Sequence, residues 1–149
     1  MIAPMPKKVG IIGAGVIGDF HAEALNAMPG TELVAAYARR DERAQAFAQA
    51  HGCSAYSDLG QFLAHEGMDV VTVASVSGAH LDHVKAAAQA GKHIICEKPL
   101  EVTTARIDQM IRICEEAGVM LAGIFPRRFN PSTEIFKKAI ENGRLGKVV

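Results

Sequence analysis

Short apolar runs alternate with longer amphipathic segments along the whole chain. Such runs, rich in β-branched residues and bounded by glycine or polar positions, predict strands that are buried on both faces of a sheet. Five of them are clear: Val9–Ile12, Leu33–Ala38, Val70–Ala74, His93–Cys96 and Val119–Ile124. A weaker sixth run, near Ser54–Tyr56, precedes a Ser-Asp pair that is typical of a helix start.

The segments between the runs have the spacing of amphipathic helices. In residues 104–118, four side chains fall at i, i+3, i+4 and i+7 and predict one buried helix face: Ile107, Met110, Ile111 and Cys114. One of two adjacent threonines, Thr103 or Thr104, is the predicted cap of this helix, and Gly118 is its predicted end. The last helix is predicted to have Asn130 as its N-cap and Pro131 as its first residue, and to stop at Gly143.

The repeated strand–helix alternation predicts the fold class. Right-handed crossovers between parallel strands place helices on both faces of a sheet, so we expect a doubly wound α/β fold with about six parallel strands. Ligands of such folds bind beyond the carboxyl ends of the strands. The residues that directly follow each apolar run are therefore the first candidates for a functional site.

Composition narrows the classes of function. The 149 residues include 16 Lys+Arg and 16 Asp+Glu, and a net charge of zero gives no reason to expect a nucleic-acid or membrane-surface partner. No apolar run is long enough to cross a bilayer, and the N-terminus lacks the apolar core of a secretory signal. The widely spaced cysteines suit free thiols in a reducing compartment: Cys53, Cys96 and Cys114. These features predict a cytoplasmic location.

A glycine-rich turn follows the first predicted strand. Residues 13–18 read Gly-Ala-Gly-Val-Ile-Gly, which matches G-x-G-x-x-G between a strand and a helix and predicts a dinucleotide site. The first glycine allows a tight turn, the second the approach of a pyrophosphate, and the third close packing of helix on strand. The alternative is a glycine-rich turn that binds nothing. The predicted cofactor contacts are Gly13, Gly15, Val16, Ile17 and Gly18.

The end of the second predicted strand bears on the choice of dinucleotide. An acidic residue that binds the adenosine ribose is expected about 20 residues beyond the last glycine, and Ala38 stands there instead. Arg39 and Arg40 follow directly, and a guanidinium grips a 2′-phosphate with a planar fork of donors. We predict that these three residues bind NADP, with NAD possible. The alternatives are two solvated arginines, or Asp41 as ribose ligand, although Asp41 is better placed as a helix N-cap.

A Glu-Lys-Pro sequence follows the strand predicted at His93–Cys96. Lys98 precedes proline, so its backbone is held extended and its ammonium group can be aimed at a ligand. That group can donate to a substrate hydroxyl oxygen and, if partly desolvated, can shuttle protons. The alternative is a surface turn with a Glu–Lys pair. Lys98 is the candidate catalytic residue.

Several segments together resemble the Gfo/Idh/MocA family of NAD(P)-dependent sugar, polyol and sugar-nucleotide oxidoreductases. The resemblance covers essentially the whole chain and rests on five segments: Gly13–Gly18, Ala74–His80, Ala90–Pro99, Arg127–Pro131 and Gly143–Gly146. It implies a dinucleotide-binding Rossmann domain over residues 1–149. It also implies a second α/β domain, absent from this chain, that supplies an Asp and a His for acid–base chemistry and assembles homo-oligomers.

The resemblance implies roles for individual residues. Glu97 contacts the nicotinamide ribose, Lys98 touches the reacting hydroxyl of the substrate, and the bond between Lys98 and Pro99 is cis. Arg128 lies near the nicotinamide and the substrate. The residues implied to line the cofactor groove are Ser75, Val76, Ser77 and His80, where the family commonly has Thr-Pro-Asn in place of the first three.

The function expected from these residues is the cofactor-binding half of an NADP-preferring oxidoreductase. It would pass hydride between nicotinamide and a secondary alcohol of a sugar, polyol or sugar nucleotide, and the isolated chain would turn over little. The alternative is a non-catalytic nucleotide-sensing module, against which the intact Glu97-Lys98 pair argues. His80 and His83 fall at i, i+3, but no third ligand of suitable spacing accompanies them, so we predict no metal site.

Overall fold

In this computed structural model, which describes residues 6–147, one sheet of six strands forms the centre of the fold. The strands are β1 (Lys7–Ile12), β2 (Thr31–Tyr37), β3 (Ser54–Tyr56), β4 (Val70–Val73), β5 (His93–Cys96) and β6 (Leu121–Gly123). The helices are α1 (Val16–Ala27), α2 (Asp41–His51), α3 (Leu59–Leu63), α4 (His80–Gln89), α5 (Thr104–Glu116) and α6 (Pro131–Glu141). Two short 3₁₀ turns span Ser77–Ala79 and Pro126–Phe129.

The sheet has the order β3-β2-β1-β4-β5-β6, and every neighbouring pair is parallel. The predicted doubly wound α/β fold is therefore confirmed. The chain leaves β1 toward β2 on one side and later returns to β4 on the other side. This reversal opens a crevice beyond the carboxyl ends of β1 and β4, where ligands of such sheets bind.

Both faces of the sheet are covered. Ile11 and Ile12 are adjacent on β1, so their side chains point to opposite faces, and both are completely buried. Ile12 belongs to a large apolar cluster with residues of α4 and α5, whereas Ile11 packs in a smaller cluster with Phe47 of α2. Strands β1, β2 and β4 are thus buried on both faces, as predicted. The prediction is wrong for the run that forms β6, because this strand lies at the edge of the sheet and its Ala122 and Gly123 are exposed.

Helix α5 confirms most of its predicted pattern. Thr103 caps it, with its hydroxyl oxygen accepting a bond from the Arg106 N–H, and Met110 and Cys114 are buried. Ile111, however, is 43 % exposed, and Ile113 packs against the core instead. The prediction that Ile111 lies on the buried face is wrong, because the buried face of α5 is turned toward Met110, Ile113 and Cys114, and the helix packs chiefly against α4.

Two element boundaries also differ from the predictions. Helix α2 begins at Asp41 with Arg40 at the N-cap position, and the Asp41 carboxylate accepts a bond from the Ser57 hydroxyl at 3.1 Å. The prediction that Asp41 is the N-cap is therefore wrong by one residue. Strand β6 covers only Leu121–Gly123 of the predicted run. Among residues 6–147, no helix has the length and apolar character needed to cross a membrane.

Candidate functional site

The glycine-rich turn joins β1 to α1 and opens onto the crevice. Gly13 has a positive φ of 115°, and a Cβ there would lie 2.6 Å from the Ala74 carbonyl oxygen, so only glycine fits. Gly15 occupies the N-cap position of α1 and brings no side chain to bond the free N–H groups of the first turn. Within residues 6–147, a Cβ on Gly15 would meet no atom within 4 Å apart from its neighbours in the chain. The helix start therefore faces open space with unused donors, which suits an anion.

Gly18 has a different place from the other two glycines. It is buried on α1, and a Cβ there would collide with the Gly13 carbonyl oxygen and contact the Phe47 ring at 3.3 Å. Close approach of α1 to the turn thus requires glycine at this position, as predicted. Gly18 supports the turn from beneath and does not line the crevice itself.

The crevice is a cleft of about 750 Å³ beside the turn. It is walled by residues of the glycine turn, the end of β2, the start of α2, the end of β4 and α4. The predicted cofactor residues that line it are Gly13, Gly15, Val16, Ile17, Ala38, Arg39, Arg40, Ser75 and Val76. Val16 at its edge is 70 % exposed, although it is apolar. The fold therefore gathers residues from three separate parts of the chain around one site.

Sequence reasoning missed several residues of this cleft, among which three have polar or aromatic side chains: Tyr37, Arg43 and His83. Arg43 could have been predicted from the sequence, because it lies in the first turn of α2, three and four positions after Arg40 and Arg39. All three arginines are exposed, and none of the ion pairs formed within residues 6–147 involves them. This end of the cleft is therefore positively charged and attracts anions.

His83 forms the opposite wall of the cleft. Its Nδ1 atom lies 2.8 Å from the Ser75 hydroxyl oxygen, and its ring meets the Tyr37 ring edge to face. Burial lowers the pKa of His83, and the neighbouring His80 and Arg39 lower it further, while Asp82 opposes them. His83 is accordingly neutral at pH 7, and its Nδ1 can accept the Ser75 hydroxyl proton in a hydrogen bond.

The prediction that His80 lines the groove is wrong. Its side chain is only 1 % exposed, because it points into the space beneath the cleft. Its Nε2 lies 2.9 Å from the Ser75 carbonyl oxygen, and its Nδ1 lies 3.1 Å from the Pro99 carbonyl oxygen. Ser77, at the start of a 3₁₀ turn, also lies outside the residues that line the cleft. His80 therefore ties the end of β4 to the loop after β5.

A second cavity, of about 700 Å³, lies at the Glu-Lys-Pro loop. Lys98 and Arg128 line it together, and Arg127 and Phe125 are also in its wall. The Lys98–Pro99 bond is cis, and the Lys98 side chain is exposed to solvent. An ammonium and two guanidinium groups thus face one space that is large enough for a sugar-sized molecule.

Glu97 is held at the base of this loop. Its Oε2 accepts a bond from the Lys98 N–H at 2.8 Å, and its Oε1 lies 3.1 Å from the His21 Nε2. The carboxylate is therefore fixed from two directions. His21 was not predicted, since it lies on α1, 76 positions away along the chain.

Residues 7–125 match the model of an oxidoreductase family, GFO_IDH_MocA, that has an NAD-binding Rossmann fold. The chain belongs to the Gfo/Idh/MocA oxidoreductase family. It is 37 % identical over 141 residues to a myo-inositol 2-dehydrogenase of Thermotoga maritima, an alignment that covers 94 % of this chain and 42 % of that protein. The chain therefore spans less than half the length of this curated relative.

Solved structures of Gfo/Idh/MocA type share this fold. The WlbA dehydrogenase from Bordetella pertussis, in complex with NADH and UDP-GlcNAcA, is 34 % identical with a TM-score of 0.90, covering 95 % of this chain and 44 % of that one. A 3-ketoreductase from Actinomadura kijaniata, in complex with TDP-benzene and NADP, is 28 % identical with a TM-score of 0.86. That match covers 93 % of this chain and 44 % of the other.

An ion pair between the buried Glu101 and the partly exposed Arg106 anchors the loop that carries Lys98. The Glu101 side chain is fully buried, and its Oε2 accepts bonds from the Leu81 N–H at 3.0 Å and from the Arg106 Nη2 at 2.9 Å. Arg106 also donates to the Gly78 carbonyl oxygen at 3.3 Å. The anchor therefore joins the start of α4, the 3₁₀ turn before it and the loop after β5.

We expect this anchor to make folding sensitive to acid. Burial alone would raise the pKa of Glu101, but bonds from Arg106 and from the Val102 and Leu81 N–H groups outweigh it and hold that pKa below its usual 4.5. The stabilisation is complete above the unfolded pKa and is lost as the pH falls through the lower folded pKa. Urea unfolding at a series of pH values should show a loss of unfolding free energy below about pH 4.5, and Glu101→Gln should reduce that dependence. An unchanged acid dependence in the variant would contradict the assignment.

The three cysteines are free, as predicted. Burial raises the pKa of Cys53 to about 11 and that of Cys96 to about 12, so both thiols stay protonated at neutral pH. Cys114 is buried on α5, and burial raises its pKa as well. Within residues 6–147, no three His, Cys, Asp or Glu side chains are arranged to hold a metal ion.

Proposed function

We propose that the chain binds NADP in preference to NAD and serves as the cofactor-binding part of an oxidoreductase. The observation that carries this proposal is the cluster of Arg39, Arg40 and Arg43 at the cleft, with Ala38 where an acidic ribose ligand would stand. A ribose hydroxyl needs a carboxylate acceptor, whereas a 2′-phosphate needs cations. The positive charge at this end of the cleft therefore supports binding of the 2′-phosphate of NADP.

The remaining residues of the cleft fit a dinucleotide. The unused N–H groups after Gly15 suit the pyrophosphate, and the space in front of them would be filled by a Cβ at that position. Glu97, in the loop that carries Lys98, is a carboxylate with lone pairs free for ribose hydroxyls. When bound, NADP supplies a hydride acceptor or donor at its nicotinamide ring.

We propose that the substrate is a sugar, a polyol or a sugar nucleotide that reacts at a secondary alcohol. The activities of similar proteins support this class, since one is a myo-inositol 2-dehydrogenase and another a 3-ketoreductase. In this proposal the Lys98 ammonium donates a hydrogen bond to the reacting oxygen and stabilises charge that develops on it. Arg127 and Arg128, in the same cavity wall, contribute further positive charge.

Turnover is expected to need more than the residues described here. Hydride transfer requires a substrate that is held against the nicotinamide ring in a closed and dry site. Both cavities of this chain are open to solvent on one side. We therefore propose that a covering domain of the kind implied by the family completes the site and mediates oligomer formation.

The cofactor preference is tested by titration with NADPH and NADH, followed through the fluorescence of the reduced nicotinamide. NADPH is expected to bind at least about tenfold more tightly, because a charge-assisted bond to phosphate contributes more than a neutral one. Arg39→Ala should close most of this gap, whereas Arg112→Ala, an exposed arginine on α5, should leave it unchanged. Equal affinities in the unmutated chain would overturn the NADP assignment.

A further inference from the structure

A histidine on α1 bonds the carboxylate at the end of β5. The His21 Nε2 lies 3.1 Å from the Glu97 Oε1, and the two side chains are only 18 % and 12 % exposed. An ionised carboxylate has acceptors only, so the His21 Nε2 carries the hydrogen and donates it. The low exposure strengthens this bond, because little water competes for either partner.

The second oxygen of Glu97 is also engaged. It accepts the N–H of Lys98 at 2.8 Å, so each carboxylate oxygen has one protein donor. Each oxygen retains a further lone pair that can accept a hydroxyl. The carboxylate is thus oriented by donors on two sides while it keeps capacity to bind a ligand.

The two donors to the Glu97 carboxylate, the Lys98 N–H and the His21 Nε2, belong to different parts of the fold. Lys98 belongs to the loop at the second cavity, whereas α1 begins at the glycine turn of the first cleft. The His21–Glu97 bond therefore links the helix whose N-terminus faces the cleft with the carboxylate in the loop that carries Lys98.

We propose that His21 is a positioning residue, which holds the Glu97 carboxylate where it accepts hydroxyls of the nicotinamide-side ribose. This proposal rests on the proposed function, since it assumes that a dinucleotide occupies the cleft. Its expected signature is selective: His21 matters for ligands that include the second ribose and not for ligands that end at the pyrophosphate.

A second histidine–carboxylate pair on α1 offers a matched control. The His51 Nε2 lies 2.9 Å from the Asp19 Oδ1 and joins α2 to α1. Neither of these two residues lines the cleft or the second cavity. The control pair therefore has the same chemistry on the same helix, but its carboxylate lies outside the loop that carries Lys98 and is not one that the proposal assigns to a ribose.

Calorimetric titration with two ligands tests the proposal. NADPH contains both riboses, whereas 2′-phosphoadenosine 5′-diphosphate keeps the adenosine end and the pyrophosphate but lacks the second ribose. His21→Leu is expected to weaken NADPH binding about tenfold, the effect of losing a hydrogen bond to a charged group, and to leave binding of the fragment unchanged. His21→Gln places an amide donor near the position of Nε2 and should restore most of the NADPH affinity. His51→Leu should bind both ligands as the unmutated chain does.

A double-variant cycle tests the route through Glu97. Adding His21→Leu to Glu97→Ala should cause no further loss of NADPH affinity, because the group that His21 positions is then absent. Should His21→Leu unfold, His21→Asn, which is too short to reach the carboxylate, takes its place with the same expected loss.

Three results would overturn the proposal: unchanged NADPH affinity in His21→Leu, equal weakening of both ligands, or additive losses in the cycle. Failure of the unmutated chain to bind either NADPH or NADH would instead overturn the proposed function. The two failures are therefore distinguishable in one set of titrations.

Discussion

Gly15→Val is expected to abolish dinucleotide binding while the chain folds normally. The backbone at Gly15 is extended, with φ −128°, so a β-branched residue adopts it without strain. No protein atom lies within 4 Å of the position of the new Cβ. The side chain instead fills the space in front of the first N–H groups of α1, where the pyrophosphate is expected. NADPH affinity should fall at least about a hundredfold, which corresponds to ~2.7 kcal/mol.

Fluorescence titration measures this loss, and thermal unfolding followed by circular dichroism checks that the fold is retained. Gly15→Ala provides a graded comparison, because its single methyl group fills less of the same space and should weaken binding by a smaller factor. Retention of full NADPH affinity in Gly15→Val would place the pyrophosphate elsewhere and would remove the glycine turn from the proposed site.

Gly18→Val, only one helical turn further on, is expected to destabilise the fold itself. A Cβ at Gly18 would collide with the Gly13 carbonyl oxygen and press on the Phe47 ring, and a backbone carbonyl cannot move aside as a flexible side chain does. Overpacking of this kind destabilises a protein by about 3 kcal/mol. The unfolding midpoint in urea should therefore fall sharply, and cofactor binding should be lost with the folded state.

Gly78→Ala is a suitable control for this second variant. A Cβ at Gly78 meets no atom within 4 Å, and Gly78 lies outside both cavities. Its unfolding midpoint should match that of the unmutated chain. A normal midpoint in Gly18→Val would mean that α1 can move away from β1 and that close packing at this position is dispensable.

The sheet could be predicted because doubly buried strands have a simple sequence pattern. A run such as Val70–Val73 needs no knowledge of its neighbours to be recognised as apolar and β-branched. The glycine turn could be predicted equally well, because the spacing of its glycines follows from local backbone geometry. The sequence does not show how deeply a helix packs into the fold, so it could not predict which helical side chains line the cleft. His80 and His83 share one face of α4, yet the first lies beneath the cleft and the second in its wall.

The contacts that hold the site together were the hardest to predict. His21 and Glu97 are 76 positions apart, and neither has a local pattern that indicates the other. Glu101 follows the Glu-Lys-Pro loop and has the composition of a surface residue. It is buried because the free N–H of Leu81 at the start of α4 and the Arg106 guanidinium both need an acceptor there. Only the assembled fold brings these groups together.

The bonds of His80 and Glu101 have a consequence for anyone who would transplant this site. The loop with Lys98 is attached to the rest of the domain by the His80 ring and by the Glu101–Arg106 pair, not by its own short sequence. If Glu-Lys-Pro alone were grafted into another α/β scaffold, it would lack the contacts that the His80 ring and the Glu101–Arg106 pair supply here. The transferable unit is the loop together with the first turns of α4 and α5 and with His21 of α1, which bonds the Glu97 carboxylate. A designer who copies fewer residues copies the motif but not its geometry.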